Sequence, residues 1–148
     1  MPNPESDMKI PPALQLRRAG LRVTVPRVRV LELLRELGGH HAADELVTVL
    51  RQRGIRLSRA SVFNVLHDLY QARVIMQTDI GPGRAMYEAA ETWHHHFVCR
   101  ACGVVLDVQC VRGEKPCLDP DLPGAGYHID EAQVIFRGYC PGCRTESH

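Results

Sequence analysis

Apolar residues recur at helical spacing through the first half of the chain, then give way to short strand-like runs. Residues 1–10 carry two prolines and no periodicity, and are expected as a loose tail. Pro11 or Pro12 opens a short helix through Arg18, closed by Gly20. Thr24 is placed as the N-cap of a second helix with Pro26 in its first turn. Val28, Leu31, Leu34 and Val30, Leu33, Leu37 make that helix apolar over much of its circumference, until Gly38-Gly39. A third helix is expected from Ala43 to Arg53, with Leu46, Val47 and Leu50 inward. Ser58 caps a fourth, ending near Ala72, whose stripe of Val62, Val65, Leu66 and Leu69 follows i, i+3, i+4, i+7. Val74 to Gln77 and Arg84 to Tyr87 read as strands around the Gly81-Pro82-Gly83 turn. Short helices followed by a hairpin give the layout of a winged helix-turn-helix.

Beyond Glu88 the pattern changes. Phe97-Val98, Val104 to Val108 and Val134 to Phe136 read as strands of a small sheet. Between them, Cys110 to Gly126 holds three prolines and three glycines, poor material for a long helix. The expected class is α+β, with a winged helix over 1–87 and a smaller unit over 88–148.

Composition sharpens that division. Of 148 residues, 45% are apolar and 24% charged, which excludes a disordered chain. Residues 1–87 hold 13 Lys/Arg against 8 Asp/Glu, whereas residues 88–148 hold 5 against 9. All six cysteines lie between Cys99 and Cys143. A basic half without cysteine suits a polyanionic partner, and an acidic, cysteine-rich half suits metal. No apolar run approaches the ~18 residues of a membrane span, and no signal peptide is evident near Met1. The chain is expected to be cytoplasmic, without a membrane partner, where cysteines more often hold metal than form disulfides.

If the apolar stripe of the fourth helix faces the core, Ala60, Phe63, Asn64 and His67 face outward. In a major groove, Asn64 can bond an adenine edge and Phe63 can pack on a thymine methyl. Arg17, Arg18, Arg22, Arg27 and Arg29 are candidates for phosphate contacts, with Arg56, Arg59 and Arg73 flanking the face and Arg84 on the wing. The competing reading is a solvated helix whose Phe63 tucks under a neighbouring loop.

Cys99-Arg-Ala-Cys102 and Cys140-Pro-Gly-Cys143 are two C-x-x-C knuckles, and four thiolates suit a closed, structural zinc. A redox C-x-x-C would want a thioredoxin-like βαβ setting, absent here. In an extended His94-His95-His96, the outer two imidazoles point the same way. Glu88 and Asp107 lie near them in sequence and His40 farther off, a nitrogen and carboxylate set that suits iron, manganese or zinc. His67 and His128 are read as structural histidines. Cys110 and Cys117 are free thiols, a reversible disulfide or alternative ligands. Enzyme readings fare poorly: H-x-E, P-C-x-x-C and H-E-x-x-H are all absent. A thiol-redox protein using Cys110 and Cys117 is the remaining reading of that class. The chain is therefore expected not to be an enzyme.

Together, Leu16-Arg-Arg-Ala-Gly-Leu-Arg-Val-Thr24, Ser61-Val-Phe-Asn64 and His94-His-His-Phe-Val-Cys99 resemble the ferric uptake regulator (Fur) family of metal-dependent repressors. Similarity is greatest to its actinobacterial FurA-like and peroxide-responsive members. The resemblance implies an N-terminal winged helix, a C-terminal α/β dimerisation domain, and a homodimer on double-stranded, A·T-rich, pseudo-palindromic DNA. It implies structural Zn2+ on Cys99, Cys102, Cys140 and Cys143. It also implies regulatory Fe2+ or Mn2+ on His40, Glu88, His94, His96 and Asp107, a site that Zn2+ can take in purified protein. DNA contacts fall on Arg18, Arg22, Arg59, Ser61, Phe63, Asn64 and Arg84. Asp at 107, where iron-responsive members tend to have Glu, implies peroxide sensing and control of oxidative-stress genes. Iron or zinc uptake control is the alternative, or a thiol switch on Cys110 and Cys117. Phe63 replaces the family's usual Tyr, Pro116, Pro120 and Pro123 interrupt a helix that many members have, and Trp93 and Ala132 stand where an auxiliary site often has histidines.

Overall fold

The helical periodicity of the N-terminal half becomes four packed helices. A computed structural model describes residues 10–80, 84–89, 94–108, 122–129 and 132–144, in two compact units divided between Trp93 and His94. In the first unit, helix α1 spans Pro12–Arg18, α2 Val25–Leu37, α3 Ala43–Gln52 and α4 Arg59–Gln71. Thr24 accepts from the Arg27 amide at the start of α2, and Ser58 accepts from the Ser61 amide at the start of α4. Leu16, Leu31, Leu34, Leu46, Leu50, Leu66 and Leu69 are essentially inaccessible and form one core. Each such burial is worth roughly 1.5–3 kcal/mol relative to exposure, so the stripe on α4 is a strong reason for it to dock against α2 and α3. Helix α2 is less fully covered than its pattern suggests: Val28 is half-buried and Leu37 is 36% exposed. The Arg35 guanidinium ties α1 down through the Ile10 carbonyl at 2.7 Å and the Gln15 side chain.

Three helices end in the same backbone motif. After α1, α3 and α4, the third residue past the helix donates back to the third-last carbonyl: Leu21 to Leu16, Ile55 to Leu50 and Val74 to Leu69. This ending needs a left-handed residue, supplied by Gly20 and Gly54 at φ +75° and by Arg73 at φ +59°.

The wing is a three-stranded antiparallel sheet in the order β1-β3-β2, with β1 at His41–Ala42, β2 at Met76–Asp79 and β3 at Ala85–Glu88. Both hairpin strands begin later than the sequence suggests. Val74 and Ile75 are buried in the helical core, and the Val74 amide is taken by the end of α4. The expected Gly81-Pro82-Gly83 turn lies outside the described residues. Strand β1 has no sequence signal at all. It pairs His41 with Tyr87 and Ala42 with Met86.

The second unit is a sheet in the order β5-β4-β6, with β4 at His95–Cys99, β5 at Val105–Val108 and β6 at Ile135–Gly138. Central β4 runs antiparallel to β5 and parallel to β6. Strand alternation puts His96 and Val98 on one face and His95, Phe97 and Cys99 on the other. Among the described residues, no helix is long and apolar enough to cross a membrane.

Candidate metal centres and nucleic-acid surface

Parallel pairing of β4 with β6 sets Cys99 opposite Gly138, which delivers the second knuckle to the first despite 37 residues between them. Each knuckle is a tight turn: the Gly103 amide donates to the Cys99 carbonyl at 3.0 Å, and the Cys143 amide to the Cys140 carbonyl at 2.9 Å. The four sulfurs lie within 4.8 Å of one another, with Cys102 and Cys140 Sγ 3.8 Å apart. Tetrahedral zinc at ~2.3 Å from each sulfur requires sulfur separations of about 3.8 Å. The four are reduced thiols, not disulfides.

The electrostatics of this cluster call for a cation. Amides of Cys102 and Cys140 point at the Cys99 sulfur and pull its thiol down to about 6. Hydrogen bonding with Cys140 and Cys102 pushes the Cys143 thiol up to about 12. One sulfur is thus readily ionised while another resists, and a bound divalent cation lets all four become thiolates. The donor set fits a structural metal, with no position left open.

The imidazole and carboxylate candidates form a set in each unit. In the first unit, the β1–β3 pairing puts His40 beside Glu88, with His40 Nε2 3.2 Å from the Glu88 carboxylate. In the second, His94 Nε2 is 3.1 Å from Asp107 Oδ1, and the His94 and His96 rings lie 4.7 Å apart. Register explains the latter, since His96 pairs directly with Asp107. His95 points to the opposite face and packs edge-on against Phe136. These groups are of the kind that hold first-row divalent metals. Cys110, Cys117 and Trp93 lie outside the described residues. His67 and His128, expected as structural, are both exposed.

On α4, Ala60, Asn64 and His67 are exposed as the pattern requires, but Phe63 is half-buried against the core. The Arg59 guanidinium lies 4.5 Å over its ring. Arg59 is itself engaged by Asp44 of α3 through two hydrogen bonds, at 2.7 and 3.3 Å. Those bonds hold the Asp44 carboxyl below its ordinary range. Nothing in the sequence signals this pair, because its partners lie 15 residues apart on different helices. Ser61 is taken up in the cap, with its hydroxyl 2.8 Å from that of Ser58. Phe63, Asp44, Gln77, Arg84 and Tyr87 line a cleft of about 400 Å3 between α4 and the wing. Burial raises the Tyr87 phenol above its ordinary value. Arg18, Arg22 and Arg84 are exposed. Arg27, in contrast, pairs with Asp68 at 2.9 Å and bonds the Arg22 carbonyl, and Arg29 pairs with Glu32.

The profile described as the ferric uptake regulator family matches residues 18–117. The chain is 42% identical over 132 residues to the transcriptional regulator FurA of Mycobacterium tuberculosis, covering 88% of each. It is 37% identical over 122 residues to ferric uptake regulation protein 1 of Mycolicibacterium fortuitum, covering 82% of this chain and 74% of that one. Among solved structures, the ferric uptake regulator of Pseudomonas aeruginosa with manganese superposes with a TM-score of 0.72 at 26% identity, over 89% of this chain and 99% of that one.

Proposed function

The chain belongs to the ferric uptake regulator family, in its actinobacterial FurA branch, and from that premise we propose a metal-dependent, homodimeric repressor that senses peroxide through iron. The observation that carries this reading is the pair of ligand sets, His40 with Glu88 in the DNA-binding unit and His94, His96 with Asp107 in the other. An ion shared by all five fixes the angle between the units, and with it the spacing of two α4 helices in the dimer. Ligands left without an ion favour open forms that fit no operator, and a differential affinity of a few kcal/mol is enough to shift the balance. The four knuckle cysteines hold Zn2+ and stabilise the dimerisation domain. Residues 1–87 and 88–148 serve as the DNA-binding and dimerisation domains.

Recognition falls to α4 and the wing. Asn64 reads an adenine edge in an A·T-rich pseudo-palindrome, while Phe63, half-buried under Arg59, supports that helix face in place of the thymine contact its position suggests. Arg18, Arg22 and Arg84 take phosphates, and Ser61 orders the start of α4. The protein acts in the cytoplasm on oxidative-stress genes. Ferrous iron, when bound, supplies the electrons that split peroxide beside a ligand imidazole. His40 and His94, each against a carboxylate, are the imidazoles most exposed to that chemistry.

The test compares DNA binding of the iron and manganese forms before and after peroxide. The expected result is loss of binding with a +16 Da adduct (about one oxygen atom) on His40 or His94, in the iron form alone. Release in both metal forms, reversed by dithiol and mapped to Cys110 and Cys117, makes the sensor a thiol switch instead. Retained binding in both forms favours iron or zinc uptake control instead, iron being the metal in the name of its Mycolicibacterium fortuitum relative.

A further inference from the structure

We propose that Asp44 sets the DNA specificity of this regulator by withholding Arg59 from the phosphate backbone. The inference rests on the DNA-binding reading above and concerns only the first unit. Arg59 is the first residue of α4, the end of a recognition helix whose side chains meet DNA. An unengaged arginine there adds affinity for every duplex alike, because phosphate contacts carry no sequence information. In this chain the guanidinium fork is occupied by the two Asp44 oxygens, and its plane is steadied over the Phe63 ring.

A carboxylate and a phosphate present the same two-oxygen face, so they compete for one fork. Both side chains of the pair are 66% exposed. An exposed pair of this kind is weak enough to exchange partners. Paired in this way, the two charges cancel at the edge of the surface. Sliding contact with arbitrary DNA therefore meets a neutral pair. Only a backbone phosphate held in line by correct base contacts at Asn64 displaces the carboxylate. Asp44 acts through Arg59 as a positioning residue and need not touch DNA.

The experiment measures affinity of the manganese-loaded full chain for a random-sequence duplex between about 50 and 200 mM salt. Asp44→Asn is expected to steepen the slope of log K against log salt by about 0.9 per chain, one released phosphate counterion. The loss of affinity across that salt range then grows about 3.5-fold per chain. The double variant Asp44→Asn with Arg59→Gln is expected to return to the wild-type slope, because the added phosphate contact belongs to Arg59. Asp44→Ser repeats the test in case the Asn variant misfolds. Two results overturn the proposal. One is a slope for both Asp44→Asn and Asp44→Ser equal to that of wild type, which shows that the carboxylate withholds nothing. The other is equal steepening by Asp44→Asn without Arg59, which shows a mere charge effect. A wild-type chain with no salt-dependent affinity for DNA overturns the DNA-binding reading itself.

Discussion

Asn64 stands exposed on α4 between the buried Val62 and Val65, so its carboxamide is presented outward with nothing on its own helix to satisfy. Asn64→Ala is expected to cost ~1–3 kcal/mol of specific affinity and to relax preference at one base position, read by selection from randomised operators. Unchanged preference would remove Asn64 from the readout. Its neighbour shows the limit of a helical wheel. The pattern puts Phe63 outward, but a side chain of that size folds back under Arg59 and against the core. Arg73 is the other residue whose position matters more than its chemistry. It occupies, at φ +59°, the helix-ending position that Gly20 and Gly54 fill elsewhere in this unit. Left-handed backbone costs a non-glycine residue roughly 1–2 kcal/mol. Arg73→Gly is therefore expected to raise the thermal midpoint, with about 1 kcal/mol of added stability after the entropic cost of glycine. A lowered midpoint would mean that the arginine side chain stabilises the fold by more than its backbone costs.

Among the elements, the helices were legible and the pairings were not. Caps at Thr24 and Ser58 and the stripe on α4 are local signals, each contained within a few turns of chain. Strand β1 is two residues long and owes its existence to β3, a partner more than 40 positions away. That pairing brings His40 to Glu88, so spacing alone left His40 as a distant candidate. In the same way, the C-x-x-C spacing marks the knuckles, but only the parallel β4–β6 register brings their four sulfurs together. Zinc on those sulfurs is expected at about one ion per chain and to survive mild chelation. Cys140→Ser should release it and weaken the dimer, as followed by metal analysis and sedimentation. Because the Cys143 thiol sits near 12 without metal, uptake must expel its proton. Zinc affinity should therefore fall as pH is lowered, with protons released on binding in a calorimeter. An affinity independent of pH would contradict the thiolate assignment.

Over the whole molecule, charge and chemistry divide along the chain. The basic residues gather in the winged-helix half, while the cysteines and three of the five proposed regulatory ligands lie in the other. Such a division is useful to a regulator only if the two halves are coupled. In the proposed function one ion would supply that coupling, with His40 and Glu88 as ligands from one unit and His94, His96 and Asp107 from the other. Coupling of this kind is reciprocal, so metal must tighten DNA binding by the same factor by which DNA tightens metal binding. The measurement that tests it most directly is the affinity for an A·T-rich pseudo-palindrome with and without manganese, the structural zinc being retained in both. Manganese is expected to strengthen wild-type binding by roughly 5- to 150-fold, and His94→Ala to abolish the gain. Equal affinity in the two states, with manganese shown to be bound, would contradict it.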